Sequence, residues 1–301
     1  MPGSDTAVSP APGPRPAGGT PEPFGARLAA LVEERGPLCV GIDPHPGLLA
    51  AWGLTDDVGG LERFTATVVE ALAPQVAVLK PQAAFYERHG SRGLAVLEDA
   101  LIGCREAGAL TIVDAKRGDI GSTMAAYADA FAAEGSPLAG DAVTVSPYLG
   151  FGSLRPVLDV AAANGRGVFV LAFTSNPEGA SVQLATGAAG RTVGQGIIDA
   201  AAAENAGAAP QGGVGVVVGA TVGRGGTVPD LSALNGPVLA PGLGAQGATA
   251  QDLRAVFGTA LGRVLPSSSR EVLRAGPSVA ALREAAAGTV EAVRAVLAAP
   301  R

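Results

Sequence analysis

The sequence predicts a single closed (β/α)8 barrel. Its 301 residues suit one such barrel, which typically needs roughly 250. Short apolar runs alternate along the chain with longer windows of helical period. The runs are rich in β-branched residues and lack an alternating polar face, as expected of strands covered on both sides.

A tail of different composition precedes the predicted barrel. Residues 1–22 are mostly proline, glycine, alanine and small polar residues, without an apolar period. Such a segment buries too little surface to offset the entropy lost on ordering. We therefore expect a disordered tail over residues 1–22 and one catalytic barrel domain over residues 23–301.

Eight apolar runs are the predicted strands, and amphipathic windows lie between them. In chain order the runs are Leu38–Ile42, Val76–Leu79, Leu110–Val113, Ala142–Val145, Val168–Ala172, Val214–Val218, Val238–Ala240 and Arg263–Leu265. Two helical windows carry apolar residues three and four apart, namely Leu61, Phe64, Val68 and Leu72, and Leu282, Ala286, Val290, Val293 and Leu297. An open doubly wound sheet is the alternative, but no predicted strand leads through a clean G-x-G-x-x-G into a helix.

One connection is unusually long. The segment Asn176–Gly196 is rich in glycine and alanine and follows the fifth predicted strand. In a barrel this position lies at the carboxyl-terminal face, where active sites occur. We interpret the segment as a variable surface excursion in preference to a lid.

Composition and charge argue against several classes of partner. The chain has a formal net charge of −6 and a pI near 5.0, and no long basic run interrupts it. A nucleic-acid polymer or an anionic membrane is therefore not expected as a partner. A few clustered cations could still bind a small anionic substrate. No apolar stretch approaches membrane-spanning length and no signal peptide is recognisable, so we expect a cytoplasmic protein.

The cysteines and histidines do not form a metal-binding pattern. Cys39 and Cys104 are far apart in the chain, and neither they nor His45 and His89 have the spacing of zinc ligands. We expect two reduced thiols, one in a strand and one in a helix. His45 is interpreted as a turn residue at the rim of the site, and His89 as part of a solvated helix or loop.

Polar residues follow the predicted strands at their carboxyl ends. They are Asp43, Lys80, Asp114, Lys116, Asp119, Thr174, Ser175, the run from Pro241 to Gly247, Ser269 and Arg270. Catalytic groups of (β/α)8 barrels come from several strand ends at one face. Charged residues inside apolar runs are costly to bury unless they are paired, and alternating Asp and Lys could provide that pairing.

The spacing around Asp114 predicts a compact charged group. Asp114 and Lys116 are two residues apart, so on an extended strand end their side chains would project to the same side. Asp119 comes three residues later, after Gly118, which permits a turn. A lone Asp-x-Lys usually belongs to a surface salt bridge. Here the strand-end position and the matching Lys80 favour a reaction centre.

Six sequence blocks together resemble the orotidine 5′-monophosphate decarboxylase family. The run DAKRGDIGST (residues 114–123) resembles its Asp-x-Lys-x-x-Asp signature. The other blocks are GIDP (41–44), LKP (79–81), FTSNP (173–177), PGLGAQG (241–247) and SSR (268–270). The resemblance extends from about Leu38 to Arg270, and FTSNPEG with the long segment after it is most like the longer bacterial subgroup.

The resemblance implies an activity and a set of catalytic residues. The reaction would be cofactor-independent decarboxylation of orotidine 5′-monophosphate to uridine 5′-monophosphate in pyrimidine biosynthesis. Lys116 would protonate C6, Asp114 would lie beside the substrate carboxylate, and Lys80 would bridge the ribose and the Asp network. Asp119 would reach the active site of a neighbouring subunit, which implies a homodimer with shared sites.

The resemblance also implies residues that bind the substrate. They are Asp43, Ile120, Thr123, Ser175, Pro241, Gln246, Ser269 and Arg270. Asp43 would hold a ribose hydroxyl, Gln246 and Arg270 would bind the 5′-phosphate, and Thr123 would act across the dimer. Ser175 would contact the pyrimidine, with its neighbour Thr174 as the alternative.

Two other functions are compatible with a phosphate-binding barrel. A magnesium-dependent sugar-phosphate synthase or decarboxylase of the same superfamily shares Asp-x-Lys-x-x-Asp. Those relatives resemble one another in placing a metal-binding glutamate where this chain has Lys80, and a lysine repels Mg²⁺. A non-catalytic phosphate-binding barrel is the other alternative, but it would leave the charged group without a purpose.

Overall fold

The predicted barrel is present in the computed structural model, which describes residues 21–187, 190–222, 228–242 and 250–298. Its strands pair in parallel in the order of the chain, and β8 closes on β1. The strands are β1 (Cys39–Ile42), β2 (Val78–Pro81), β3 (Leu110–Arg117), β4 (Ala142–Val145), β5 (Gly167–Phe173), β6 (Val214–Val218), β7 (Val238–Pro241) and β8 (Val264–Ser268). Every predicted apolar run therefore overlaps a strand.

Helices lie between most of the strands and form the outer layer, and α1 precedes β1. They are α1 (Phe24–Arg35), α2 (Pro46–Ala51), α3 (Val58–Leu72), α4 (Ala83–Glu87), α5 (Gly90–Glu106), α6 (Gly121–Ala132), α7 (Arg155–Ala163), α8 (Ala180–Gln183), α9 (Val193–Glu204), α10 (Ala250–Phe257), α11 (Arg270–Leu273) and α12 (Val279–Ala298). Short 3₁₀ helices span Phe151–Leu154, Pro177–Gly179 and Gly258–Arg263. None of the helices within the described ranges is both long enough and apolar enough to cross a membrane.

Helix α1 covers the amino-terminal end of the barrel. One buried cluster takes side chains from all eight strands together with Phe24 and Leu28 of α1, so it fills the barrel interior. The Phe24 ring meets Phe169 of β5 edge to face, with centroids 5.9 Å apart. Arg27 of α1 pairs with Asp141 beside β4 at 2.5 Å, and this ion pair ties the helix to the barrel wall.

The predicted helical stripes face the strands. Leu61, Phe64, Val68 and Leu72 are all fully buried on α3. On α12 the predicted stripe is buried from Leu282 to Val293, and Leu297 is half-buried near the helix end. Removing these side chains from water supplies the main favourable term for packing the helix layer, at about 25 cal/mol per Å² of apolar area.

Several strand boundaries differ from the sequence prediction by one to three residues, and two differences are larger. Strand β3 continues to Arg117 rather than ending at Val113, but its register with β4 shifts between these residues. Helix α9 begins at Val193, inside the predicted excursion Asn176–Gly196. The earlier part of that excursion holds a 3₁₀ turn, α8 and a bridge between Thr186 and Thr192.

Candidate active site

A cavity of about 530 Å³ opens at the carboxyl ends of the strands. It brings together most of the residues selected from the sequence, namely Asp43, Lys80, Asp114, Lys116, Thr174, Ser175, Pro241, Ser269 and Arg270. His45, Gln82 and Asn176 also line it. Residues separated by more than two hundred positions therefore share one site because their strands end at the same face.

Asp114 lies between two lysine ammonium groups. Its Oδ2 accepts a hydrogen bond from Lys80 Nζ at 2.6 Å, and its Oδ1 accepts one from Lys116 Nζ at 2.7 Å. The Lys80 and Asp114 side chains are 8% and 9% exposed, whereas Lys116 is 45% exposed. Lys80 and Asp114 thus form the buried base of the cavity, and Lys116 is the member of this group that is accessible from the mouth.

The pairing keeps the buried groups charged. Burial by itself would raise the pKa of Asp114, but the positive charges of Lys80 and Lys116 outweigh it and hold that pKa well below its ordinary value. Burial would likewise lower the pKa of Lys80, but the carboxylates of Asp114 and Asp43 raise it above the ordinary value. At neutral pH Asp114 is therefore a carboxylate and Lys80 an ammonium group.

Lys116 reaches Asp114 through a backbone that is not extended. Its φ is +48°, in the left-handed region that non-glycine residues rarely adopt. The prediction that Lys116 belongs to an extended strand end is therefore wrong at this residue. The side chains of Lys116 and Asp114 nevertheless meet. The bulge between Val113 and Arg117, where β3 loses its register with β4, accommodates this conformation.

Thr144 of β4 joins this group and was not selected from the sequence. Its hydroxyl donates to Asp114 Oδ1 at 2.8 Å and accepts the Lys116 N–H at 3.0 Å. The residue is 1% exposed, in the otherwise apolar run Ala142–Val145. A lone polar residue inside an apolar strand is the sequence signal that could have identified it.

A thiol lies deeper in the barrel. Cys39 of β1 is fully buried in the interior cluster, and Cys104 is buried on α5, so the predicted strand and helix locations are confirmed. Burial raises the pKa of Cys39 to about 12 despite the charge of Lys80, and the pKa of Cys104 to about 12. Cys39 is therefore a neutral neighbour of the charged group.

Asp43 has an acceptor atom available for a ligand. Its Oδ2 accepts a hydrogen bond from the Ser269 hydroxyl. Its Oδ1 is buried without a hydrogen-bond partner among the described residues. Because an unpaired buried carboxylate oxygen is costly, this geometry favours a hydroxyl donor from a molecule bound in the cavity.

The loop after β5 distinguishes Thr174 from Ser175. The Thr174 hydroxyl donates to Asn176 Oδ1 at 2.6 Å and accepts from Gln183 Nε2 at 2.7 Å, while the Thr174 N–H donates to Gln183 Oε1 at 2.9 Å. Thr174 is thus engaged in holding α8 to the strand end. Ser175 is exposed and lines the same cavity.

Asp119, Ile120 and Thr123 are not among the residues that line the cavity of this chain. They lie at the start of α6, where Asp119 Oδ1 accepts the Ile120 N–H at 2.8 Å. Gly118 is required by a close approach rather than by a positive φ, since an added Cβ would clash with the Ser146 backbone oxygen.

The remaining selected residues have simpler outcomes. Gln246 lies outside the described residues. His45 is at the cavity rim, as expected, with its ring 4.4 Å from that of Phe85. His89 is half-buried rather than solvated, and its Nε2 has no partner in the described part of the chain.

Across the residues that the structure describes, no group of three His, Cys, Asp or Glu side chains could hold a metal ion.

Comparison with known proteins gives a consistent result over nearly the whole chain. The model of the orotidine 5′-phosphate decarboxylase / HUMPS family matches residues 36–285. An orotidine 5′-phosphate decarboxylase of Salinispora arenicola is 66% identical over 276 residues, which is 92% of this chain and 99% of that protein. One from Streptomyces coelicolor is 62% identical over 269 residues, covering 88% and 95% of the two chains.

A solved structure extends the similarity to three dimensions. A Streptomyces avermitilis protein assigned to the same activity superposes with a TM-score of 0.91 at 59% sequence identity. The alignment covers 95% of this chain and all of that one.

Proposed function

The chain belongs to the orotidine 5′-phosphate decarboxylase / HUMPS family, and on that basis we propose how its barrel mouth carries out the reaction. The activity is that of a carboxy-lyase, which converts orotidine 5′-monophosphate to uridine 5′-monophosphate and CO2 in de novo pyrimidine biosynthesis. The observation that carries the mechanism is the arrangement of Lys80, Asp114 and Lys116 at the base of the cavity.

Lys116 is the proton donor in this proposal. Heterolysis of the bond between C6 and the carboxylate carbon releases CO2 and leaves the electron pair on C6. An ammonium group placed beside C6 stabilises that charge and then donates a proton to it. Lys116 suits both steps because its ammonium is accessible from the cavity and its position is fixed by Asp114. The resulting neutral amine regains a proton from solvent before the next turnover.

Asp114 would lie beside the carboxylate that leaves. Its lowered pKa keeps it charged at neutral pH, so two anions would face each other in the bound substrate. Loss of CO2 removes one of them, which favours bond breaking. Lys80 balances the permanent charge of Asp114 from the buried side and would extend toward the ribose.

Substrate binding would use the remaining strand ends. Asp43 Oδ1 would accept a hydrogen bond from a ribose hydroxyl, and Ser175 would contact the pyrimidine. Arg270 and Gln246 would bind the phosphate beside Ser269 and Pro241. A guanidinium suits phosphate because its donors form a planar fork. Binding energy from this remote group can be used to hold the reacting end in place.

The active unit would be a homodimer with shared sites. Asp119, Ile120 and Thr123 would contact the substrate of the partner, which agrees with their position outside the cavity of their own subunit. Ile120 is 61% exposed, and Tyr148 and Leu149, which follow β4, are 79% and 53% exposed. Large apolar side chains that are exposed in a single chain are candidates for burial between subunits.

A cytoplasmic location fits the same reaction, since its substrate and product are nucleotides of a biosynthetic pathway. The described structure adds two free, buried cysteines, which are characteristic of proteins that work in a reducing compartment.

Direct assay of orotidine 5′-monophosphate decarboxylation, with and without EDTA, tests the function. We expect turnover that EDTA does not change. Turnover abolished by EDTA and restored by Mg²⁺ would instead indicate a magnesium-dependent enzyme of the superfamily. Absence of turnover in a folded protein that still binds uridine 5′-monophosphate would indicate a non-catalytic barrel.

A further inference from the structure

Thr144 occupies a position from which one hydroxyl contacts both reacting residues. It donates its hydrogen to Asp114 Oδ1 at 2.8 Å and accepts the Lys116 N–H at 3.0 Å. A hydroxyl has one hydrogen to donate, and both bonds are made in a residue that is 1% exposed. The side chain therefore leaves little freedom in how Asp114 and Lys116 are arranged.

The backbone of Lys116 needs such a partner. A non-glycine residue in the left-handed region is strained and persists where its surroundings fix it. The register shift between Val113 and Arg117 removes regular strand pairing at Lys116. The Thr144 hydroxyl supplies an acceptor for its N–H in place of a backbone carbonyl.

The same hydroxyl also orients the Asp114 carboxylate. Oδ2 is held by Lys80, whereas Oδ1 accepts from both Lys116 Nζ and Thr144. Without the Thr144 bond, Oδ1 would be held by the Lys116 ammonium alone. That ammonium is the group whose position matters for proton transfer, and it is 45% exposed. A fixed carboxylate in turn fixes where the ammonium rests.

From these contacts we infer that Thr144 is a positioning residue for the decarboxylation: its hydroxyl sets the conformation of Lys116 and the orientation of Asp114 together. This inference rests on the proposed roles of Lys116 and Asp114. Thr144 itself is buried and is not among the residues that line the cavity, so it would not contact substrate. Its loss should therefore lower kcat and leave product binding nearly unchanged.

Thr144→Val is the central variant, because it keeps the branched shape and removes the hydroxyl. We expect kcat to fall by at least roughly tenfold, the rate equivalent of one hydrogen bond to a charged group. The affinity for uridine 5′-monophosphate should change less than about threefold, since the groups proposed to bind ribose and phosphate are untouched. Thr144→Ser, which restores the hydroxyl, should recover most of the rate.

Thr111→Val is a matched control from the other end of the barrel. The Thr111 hydroxyl also donates to a carboxylate, Asp141 Oδ2 at 3.2 Å, and accepts a backbone N–H, that of Asp141 at 3.1 Å. Thr111 is 3% exposed on β3 but far from the cavity lining. Removing the Thr111 hydroxyl should lower the free energy of unfolding without lowering kcat.

A second readout follows Lys116 directly. By microscopic reversibility the residue that protonates C6 also removes that proton, so hydrogen at C6 of a bound product analogue should exchange with D2O. 5-Fluorouridine 5′-monophosphate is a suitable probe because fluorine stabilises the adjacent carbanion. Thr144→Val should slow this exchange along with kcat, and Thr111→Val should not.

The outcomes separate the inference from the proposed function. An active wild type with Thr144→Val within twofold of its kcat would overturn the inference alone, as would equal losses in Thr144→Val and Thr144→Ser. Equal losses in Thr144→Val and Thr111→Val would show a general effect on stability and also overturn it. A folded wild type without turnover would contradict the proposed function and the inference with it. If Thr144→Val does not fold, Thr144→Ala is compared with Thr144→Ser under the same limits.

Discussion

The ammonium group of Lys116 lies 2.7 Å from Asp114 Oδ1, although a single alanine separates the two residues in the chain. Residues two apart on a regular strand project from the same face of the sheet. An ion pair between two such residues does not normally involve a residue in the left-handed region. Lys116 instead has a φ of +48° and still contacts Asp114. The proposed catalytic geometry thus includes a local departure from strand structure.

Lys116→Ala should abolish catalysis while preserving the fold. Because Lys116 is proposed both to stabilise the carbanion and to protonate it, kcat should fall by many orders of magnitude. Its side chain is nearly half exposed, so the melting temperature should change by no more than a few degrees. Steady-state kinetics and thermal unfolding measure the two effects. Near-wild-type turnover would remove Lys116 as the proton donor.

Arg270→Ala should weaken binding of uridine 5′-monophosphate by about 1.5–3 kcal/mol, the range for a hydrogen bond to a charged group. Arg270 lines the cavity and is exposed to solvent, so the fold should not change. Calorimetric titration gives the affinity. Arg274→Ala is the control, because Arg274 is also exposed, directly follows α11 and does not line the cavity. Equal affinities in the two variants would show that Arg270 does not bind phosphate.

Shared active sites predict complementation between two inactive variants. A heterodimer of Asp119→Ala and Lys116→Ala has one site with both lesions and one with neither. Random exchange makes half of the dimers hetero, and each has one intact site, so mixing should restore up to about a quarter of wild-type activity. Exchange is monitored separately by mass spectrometry of labelled subunits. Demonstrated exchange without recovered activity would place Asp119 in the site of its own chain.

Gly118→Ala should lower kcat/KM by displacing Asp119. The added Cβ would clash with the backbone oxygen of Ser146, which is not a flexible group, so the segment leading to α6 must shift. A displacement of about 1 Å at a catalytic group can cost on the order of a hundredfold in rate. Gly262→Ala is the control, since an added Cβ there meets no atom within 4 Å. Unchanged kinetics in Gly118→Ala would show that the loop position is not critical.

The charge of Asp114 predicts how its contribution to stability depends on pH. Folding lowers the pKa of Asp114. The contribution of this carboxylate to the free energy of unfolding is therefore fully present above the pKa of an aspartate in the unfolded chain, about 3.9. That contribution is lost as the pH falls through the lower pKa of the folded state. Asp114→Asn should therefore be less stable than wild type at pH 7, where buried Lys80 loses its partner. The difference should narrow below about pH 4. Urea unfolding at several pH values measures this, and a constant difference would contradict a lowered pKa.

The strands were predictable because their residue types report burial directly. Runs such as Val214–Val218 are β-branched and apolar on both faces, which suits strands inside a helix layer. The start of α9 was less visible because Gly194 lowers helix propensity. The structure supplies the reason for that glycine: a side chain there would clash with the Phe173 ring.

The site was predictable where it depended on strand order and less so where it depended on register. Lys80 and Asp114 lie toward the carboxyl ends of the adjacent strands β2 and β3, so their meeting required the fold class alone. The contact of Thr144 with Lys116 joins residues twenty-eight positions apart. It depends on how a bulge in β3 aligns with β4, and no local pattern encodes that alignment.

The thiol of Cys39 offers a chemical measure of how often the barrel opens. It is fully buried and protonated at neutral pH, so alkylation requires the surrounding strands to separate. The modification rate at Cys39 therefore follows the equilibrium between closed and open barrels. A nucleotide that binds the closed form should slow that modification in proportion to its occupancy. The native sequence thus carries its own reporter of barrel opening, without an added label.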